Sequence, residues 1–307
     1  MVASFAANKR MALPLRPNSV LFLKNVSFFY TIQWTIRYYQ LKVRLAPPLS
    51  TDRVMTDYII LTAFGTTTRA KDTYNYLEKR IASRFPSCRI RWAFSSPTVR
   101  RNSASADAPP ALSEVVQRLK DPGRIVIQSL HVLPGHEFDR VVNEAKTLPV
   151  AAALGLPLLH GPADFTRVAG ALKSLILRAG HGAALVLGHG TDHPCRASYA
   201  ALHRELQKQI GPQVFFSTIE KAIDPPESII KKICDAGYRE VFCIPFLMVA
   251  GMHVLRDING NQRSSWRSLL QEQQIEFHLH DRGLAYLEGV DELFCDHIQT
   301  AFDSMTA

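Results

Sequence analysis

Tyr58-Ile59-Ile60-Leu61-Thr62-Ala63-Phe64 is a largely apolar run of strand length that breaks at Gly65, and its reading decides the fold. A run without polar alternation belongs to a strand covered on both faces, as in a parallel sheet. A helical spacing follows it, with Tyr74, Leu77, Ile81 and Phe85 three or four residues apart. Outward from there the rhythm continues. Arg89 to Phe94 reads as strand, Leu112 to Leu119 as helix, Arg124 to Leu130 as buried strand and Glu137 to Lys146 as helix; the polar stretch Pro97 to Pro110 reads as loop. The second half repeats the alternation, with strands at 183–187, 214–219, 240–246 and 275–279. Helices are expected at 196–209, 226–236, 261–273 and 290–301. Strands alternating with helices of this length imply parallel sheets with helices on both faces. The expected fold class is therefore α/β, with two Rossmann-like lobes: residues 1–55 outside the fold, 56–180 as the first lobe and 181–307 as the second.

An internal repeat supports two lobes. Ala63-Phe64-Gly65-Thr66 resembles Gly188-His189-Gly190-Thr191, each at the end of the first strand of its half. Leu133-Pro134-Gly135-His136-Glu137 resembles Val249-Ala250-Gly251-Met252-His253, each after the third strand. Ligands of parallel sheets bind beyond the carboxyl ends of the strands, so both pairs are expected to face a cleft between lobes.

Composition narrows the function classes. The net charge of +9 suggests an anionic partner such as nucleic acid. The charge is not where such a partner would need it. Lys9, Arg10, Arg16, Lys24, Arg37, Lys42 and Arg44 lie in a stretch without Asp or Glu, which leaves the rest of the chain near +2. No nucleic-acid partner is expected. Five scattered cysteines with no CxxC pair argue for reduced thiols in a cytoplasmic protein, not a disulfide framework or a Cys-type zinc site. No apolar run is long enough to span a membrane. The apolar stretches Val20–Leu23 and Val26–Ile32 are split by Lys24 and Asn25, a poor secretory signal. The basic, acid-free segment also fits a transit peptide, and Met55 could be an alternative start.

Three residues stand out at strand ends. His189 lies between Gly188 and Gly190, whose lack of side chains would let backbone and ligand approach closely. Glu220 ends the Val214–Ile219 run, and His253 follows the apolar segment from Phe246 to Met252. Two imidazoles and a carboxylate suit a borderline divalent cation such as Co²⁺, Fe²⁺, Ni²⁺ or Zn²⁺. Each residue also has a plain alternative as a helix cap or backbone partner. His193, His278, His280 and Trp266 read as structural or surface residues.

From about Tyr58 to Ala301 the chain resembles the anaerobic-type sirohydrochlorin cobaltochelatases, relatives of the ferrochelatases. The likeness rests on ordered blocks: Phe64-Gly65-Thr66, Gln128-Ser129-Leu130-His131, Gly188-His189-Gly190, Ile219-Glu220 and Pro245 through His253. Ser265-Trp266 and Gly283-Leu284 add to it. The resemblance implies a chelatase-like pair of lobes around a tetrapyrrole cleft. It also implies ATP-independent insertion of Co²⁺ into sirohydrochlorin or its precursor, on the route to cobalamin. The family's metal ligands fall on His189, Glu220 and His253. Two departures are visible. Met252 stands where the family has Asp before the second ligand His, and His136 replaces the Asp of Gly-Asp-Glu. Lost carboxylates would alter metal preference or the field around an anionic substrate.

On this reading His189 is ligand and base, His253 the second ligand, and Glu220 ligand or proton outlet. The metal is the substrate, Co²⁺ with Fe²⁺ or Ni²⁺ as alternatives, and no organic cofactor is expected. Cations should line a cleft that takes a polycarboxylate. Arg69, Arg100, Arg101 and Arg256 are the candidates, with His131 and Glu137 as a polar pair in the first lobe. The expected partner is an anionic tetrapyrrole, with self-association left open. The competing readings are a ferrochelatase for sirohaem or haem and a non-catalytic tetrapyrrole or metal carrier.

Overall fold

A computed structural model describes residues 55–65, 70–96, 110–222 and 224–306. The basic amino-terminal segment, Arg69, Arg100, Arg101 and nearly all of the 97–110 stretch lie outside the described residues. The described residues begin with β1 (Thr56–Ala63), α1 (Ala70–Arg84), β2 (Arg89–Phe94), α2 (Leu112–Gln117), β3 (Pro122–Ser129), α3 (His136–Lys146), β4 (Ala153–Gly155) and α4 (Pro162–Ala179). It continues with β5 (Ala183–Gly188), α5 (Ala197–Gln209), β6 (Val214–Thr218), α6 (Pro226–Asp235), β7 (Glu240–Phe246), α7 (Trp266–Glu272), β8 (Glu276–Leu279) and α8 (Val290–Thr306).

The two sheets have the same topology, β2-β1-β3-β4 and β6-β5-β7-β8, and every pairing is parallel. This matches the α/β reading and the internal repeat. β4 and α4 went unread in the sequence. β4 is only three residues long, and α4 carries its apolar positions Phe165, Val168, Ala169, Leu172 and Ile176 in a regular helical stripe. α7 begins later than expected because Ser265 caps it: its hydroxyl accepts from Ser268 N at 3.1 Å and donates to Gly260 O at 2.7 Å.

Period-two alternation splits each sheet between two cores. Ile59, Leu61 and Val126 of the first sheet share one continuous apolar cluster with Ala184, Val186 and Ile244 of the second. Tyr58, Ile60, Ile125 and Ile127 face the other way, onto Leu112, Val115 and Val116 of α2 and Val141 of α3. Leu185, Leu187, Val241 and Cys243 likewise face Ile229, Ile230 and Ile233 of α6 and Leu270 of α7. The shared cluster is also filled by α1, α4, α5 and α8.

The lobe ends are exchanged in this core. α8, which the sequence reading places with the second lobe, packs on β3 and β4 of the first sheet. Phe302 sits against Phe85, with centroids 6.1 Å apart, and under the Arg124 guanidinium at 4.8 Å. Asp291, nearly buried, pairs with Arg80 of α1, and His297 Nδ1 donates to Leu156 O at 3.0 Å. α4 goes the other way and packs along α5. No helix among the described residues is long and apolar enough to cross a membrane.

Phe302→Ala should cost about 3–5 kcal/mol, the range for truncating a buried aromatic, read from denaturant unfolding monitored by circular dichroism. A loss below about 1 kcal/mol would show that α8 is not part of the first lobe's core.

Candidate metal centre

His189 is the first residue beyond β5, Glu220 the second beyond β6, and His253 follows β7 at the head of a π-helical turn, Val254–Ile258. The backbone brings the first two together by carrying the β5–β6 ladder past the strand ends. Ile219 N donates to Gly188 O at 2.9 Å and Glu220 N to His189 O at 2.8 Å. Thr218 Oγ1 then donates to Glu220 O at 3.0 Å.

The two glycines make these contacts possible, and their role differs from the one the sequence suggested. A Cβ on Gly188 would lie 2.8 Å from the Tyr199 ring, and one on Gly190 would lie 1.7 Å from Glu220 O. Gly190 also has φ +96, which L side chains rarely adopt. They admit parts of the protein itself, not a ligand. Gly190 N donates to Tyr199 Oη at 3.3 Å, so the loop is held from beneath as well.

Ligand atoms of His189, Glu220 and His253 all lie within 4.8 Å of one another. The two rings stand at 88° with centroids 4.7 Å apart, and their Nε2 atoms are separated by 3.2 Å. His189 Nδ1 is 3.0 Å from Gly190 O, and His253 Nδ1 is 2.7 Å from Asp257 Oδ2. Both of these oxygens only accept, so the Nδ1 atoms carry the protons. Two Nε2 lone pairs are thus left facing each other, an arrangement that either a proton or a metal ion between them would satisfy. A tetrahedral ion bound at roughly 2.0–2.1 Å sets its ligand nitrogens about 3.3–3.4 Å apart, close to the spacing present here. Asp257 was missed in the sequence, although a carboxylate four residues after a ligand His on a helical turn is a readable signal.

The other residues singled out in the sequence fall into two groups. His131 and Glu137 meet through Ser95, whose hydroxyl lies 3.2 Å from His131 Nε2 and donates to Glu137 Oε2 at 2.8 Å. Ser129 Oγ is 2.8 Å from His131 Nδ1, and Arg140 Nη1 donates to Glu137 Oε1 at 2.7 Å. Desolvation pushes His131 down to about 4, so it offers hydrogen bonds at neutral pH and no charge. Arg256, on the turn after His253, is 76% exposed. His136 reaches across to the second lobe: its Nε2 lies 2.8 Å from Asp192 Oδ1, and Asp192 also accepts from Lys221 Nζ at 2.5 Å. These two contacts hold the Asp192 carboxyl well below the usual carboxylate range. Met252 is 65% exposed. His193 caps a short turn by accepting from Cys195 N at 3.1 Å, and Trp266 is buried, as the sequence suggested for both. A concavity on the α1–α8 seam, lined by Arg80, Arg84, Asp291 and Asp296, contains no residue of the metal set.

Asp257→Asn should weaken Co²⁺ binding about 10–100-fold, the usual loss when a residue orienting a ligand imidazole is removed. Gly190→Ala should weaken it further by displacing the Glu220 backbone, with the far-ultraviolet dichroism unchanged. Calorimetric titration of Co²⁺ checks both, and equal affinities in all three proteins would refute the geometry argued above.

The family model described as Cobalt chelatase (CbiK) matches residues 57–303. Sirohydrochlorin cobaltochelatase CbiKC of Nitratidesulfovibrio vulgaris is 31% identical over 260 residues, covering 80% of this chain and 91% of the relative. Sirohydrochlorin cobaltochelatase of Salmonella typhimurium is 24% identical over 258 residues, covering 80% and 96%. Among solved structures, SirB from Bacillus subtilis with Fe³⁺ superposes with a TM-score of 0.56 at 17% identity, covering 82% of this chain and 98% of SirB. The sirohydrochlorin chelatase SirB of Bacillus subtilis subspecies spizizenii in complex with cobalt gives 0.51 at 13% identity, covering 81% and 97%. The structures share the two-lobed fold; the sequence matches reach further, and by them the chain belongs to the cobalt chelatase (CbiK) family.

Proposed function

We propose that this chelatase inserts Co²⁺ into sirohydrochlorin and that His189, Glu220 and His253 hold the ion for transfer. The observation that carries the reading is the pair of Nε2 lone pairs facing each other at 3.2 Å, each fixed by an acceptor on the far side of its ring. The relatives named for this reaction support the choice of substrate.

Chelation replaces two pyrrole N–H bonds by bonds to the metal, so two protons must leave as the ion enters. The imidazole pair can hold either one divalent ion or one proton between its nitrogens. Handing the metal to the macrocycle therefore turns the same pair into an acceptor for a pyrrole proton. Glu220 can take the second and, being exposed, pass it to water. A three-residue shell leaves coordination positions open for the entering pyrrole nitrogens. Arg256, exposed on the His253 turn with its Nε 3.8 Å from Asp257 Oδ1, is the candidate to meet a substrate carboxylate. All five cysteines are free, which fits a reducing, cytoplasmic setting.

The test is anaerobic absorption spectroscopy of sirohydrochlorin with Co²⁺, wild type against His189→Ala. The wild type should produce the metallated spectrum, and the variant should be slower by about 10²–10⁴-fold, as expected for loss of a ligand that also takes a proton. No conversion by the wild type would end the cobaltochelatase reading. Equal rates would remove His189 from the mechanism. Running Fe²⁺ in parallel on the wild type and Met252→Asp reports the effect of residue 252 on metal choice.

A further inference from the structure

A second set of two histidines and a glutamate sits at the opposite edge of the second sheet. His181 precedes β5, Glu240 opens β7, and His278 lies in β8, in register with Phe242. The candidate metal centre follows the carboxyl end of β5, whereas this cluster gathers at its amino end, about 20 Å away for a six-residue strand. No residue is shared between the two. The cluster does not depend on the chelatase reading.

Its donor atoms gather within reach of a single ion. Glu240 Oε1 accepts from Gly182 N at 2.9 Å, which fixes the carboxylate and leaves Oε2 for other partners. Oε2 accepts from His181 Nδ1 at 3.4 Å, a proton that a bound ion would displace, and lies 3.7 Å from His278 Nε2. One ligand atom from each residue lies within 4.8 Å of the other two. His278 Nε2 is shielded from solvent yet makes no hydrogen bond; Glu276 Oε1 is 3.3 Å away without the alignment of one. A shielded ring nitrogen with no hydrogen-bond partner beside an anchored carboxylate is a donor lacking its acceptor or a ligand lacking its ion.

We propose that His181, Glu240 and His278 form a second site for a first-row divalent cation of borderline softness, such as Zn²⁺, Co²⁺ or Ni²⁺. The site differs from the first in one respect that sets its strength. The His181 and His278 rings are stacked, with centroids 4.0 Å apart and planes at 17°, where the His189 and His253 rings stand perpendicular. Lone pairs lie in the ring planes, so stacked rings send them along parallel lines and one imidazole must turn to close on an ion. Both side chains are partly exposed and can do so. The site therefore binds more weakly than the one at the strand ends. An ion here ties together the entry ends of β5, β7 and β8 and stabilises the folded chain by mass action.

Zn²⁺ is the probe, measured by equilibrium dialysis of the full chain at neutral pH. The wild type should take two equivalents. His189→Ala should lose the tighter one and keep the weaker, and Zn²⁺ should still raise its unfolding midpoint. His181→Phe and His278→Phe should each keep only the tighter equivalent with an unchanged chelatase rate. Phenylalanine retains the aromatic stack, including the contact of residue 181 with Phe242 at 5.4 Å, so these variants should fold. In the unaltered chain, the second equivalent should shift the imidazole resonances of His181 and His278 and not those of His131. A His189→Ala chain that takes no equivalent, or phenylalanine variants that take as many equivalents as the wild type, would overturn the site. Failure of the chelatase reading would show instead as lost turnover with two equivalents still bound.

Discussion

Among the described residues, all paired strands run parallel to their neighbours, and a parallel sheet must be covered on both faces. With two such sheets in one chain, the inner faces can be covered by a common core, and that is the solution found. Ile59 and Leu61 of one sheet and Val186 and Ile244 of the other belong to the same apolar cluster. The two halves exchange one helix each in doing so. The last helix of the chain returns to the first sheet, and α4 packs along α5. The same parallel arrangement puts all strand exits of a sheet on one edge, where the side chains that follow β5, β6 and β7 converge.

At that edge the backbone does the positioning. Hydrogen bonds beyond the strand ends join the His189 and Glu220 loops, and they require a residue with no Cβ at 190. The histidines are then oriented from behind, by the Gly190 carbonyl and the Asp257 carboxylate, so that their free nitrogens oppose each other. Like lone pairs at this separation are unfavourable without a cation. The cluster at the other edge has the same donor types with stacked rings.

Much of this was readable beforehand, for reasons that can be named. Apolar runs such as Tyr58–Phe64 and Leu185–Leu187 carry the signal of a doubly covered strand in their composition. Glycine breaks and helical spacings supplied most element boundaries. His189, Glu220 and His253 were legible because each follows such a run. What escaped was either very short, like Ala153–Gly155, or dependent on a distant partner. Asp257 gains its meaning only from the imidazole it faces, and Glu240 with His278 only from strand register. His278 looks like a surface residue until β8 places it across from β7.

The sequence by itself determined the α/β class, the repeat of two sheets and the three residues at the strand ends, because these depend on periodicity and on local chain order. The tertiary structure alone decided which helices cover which sheet, why Gly188 and Gly190 have no side chains, and which nitrogen of each imidazole is free. Those outcomes rest on contacts between residues far apart in the chain, Phe302 with Phe85, Gly190 with Glu220, His189 with His253, and distance in space is not encoded in spacing along the sequence.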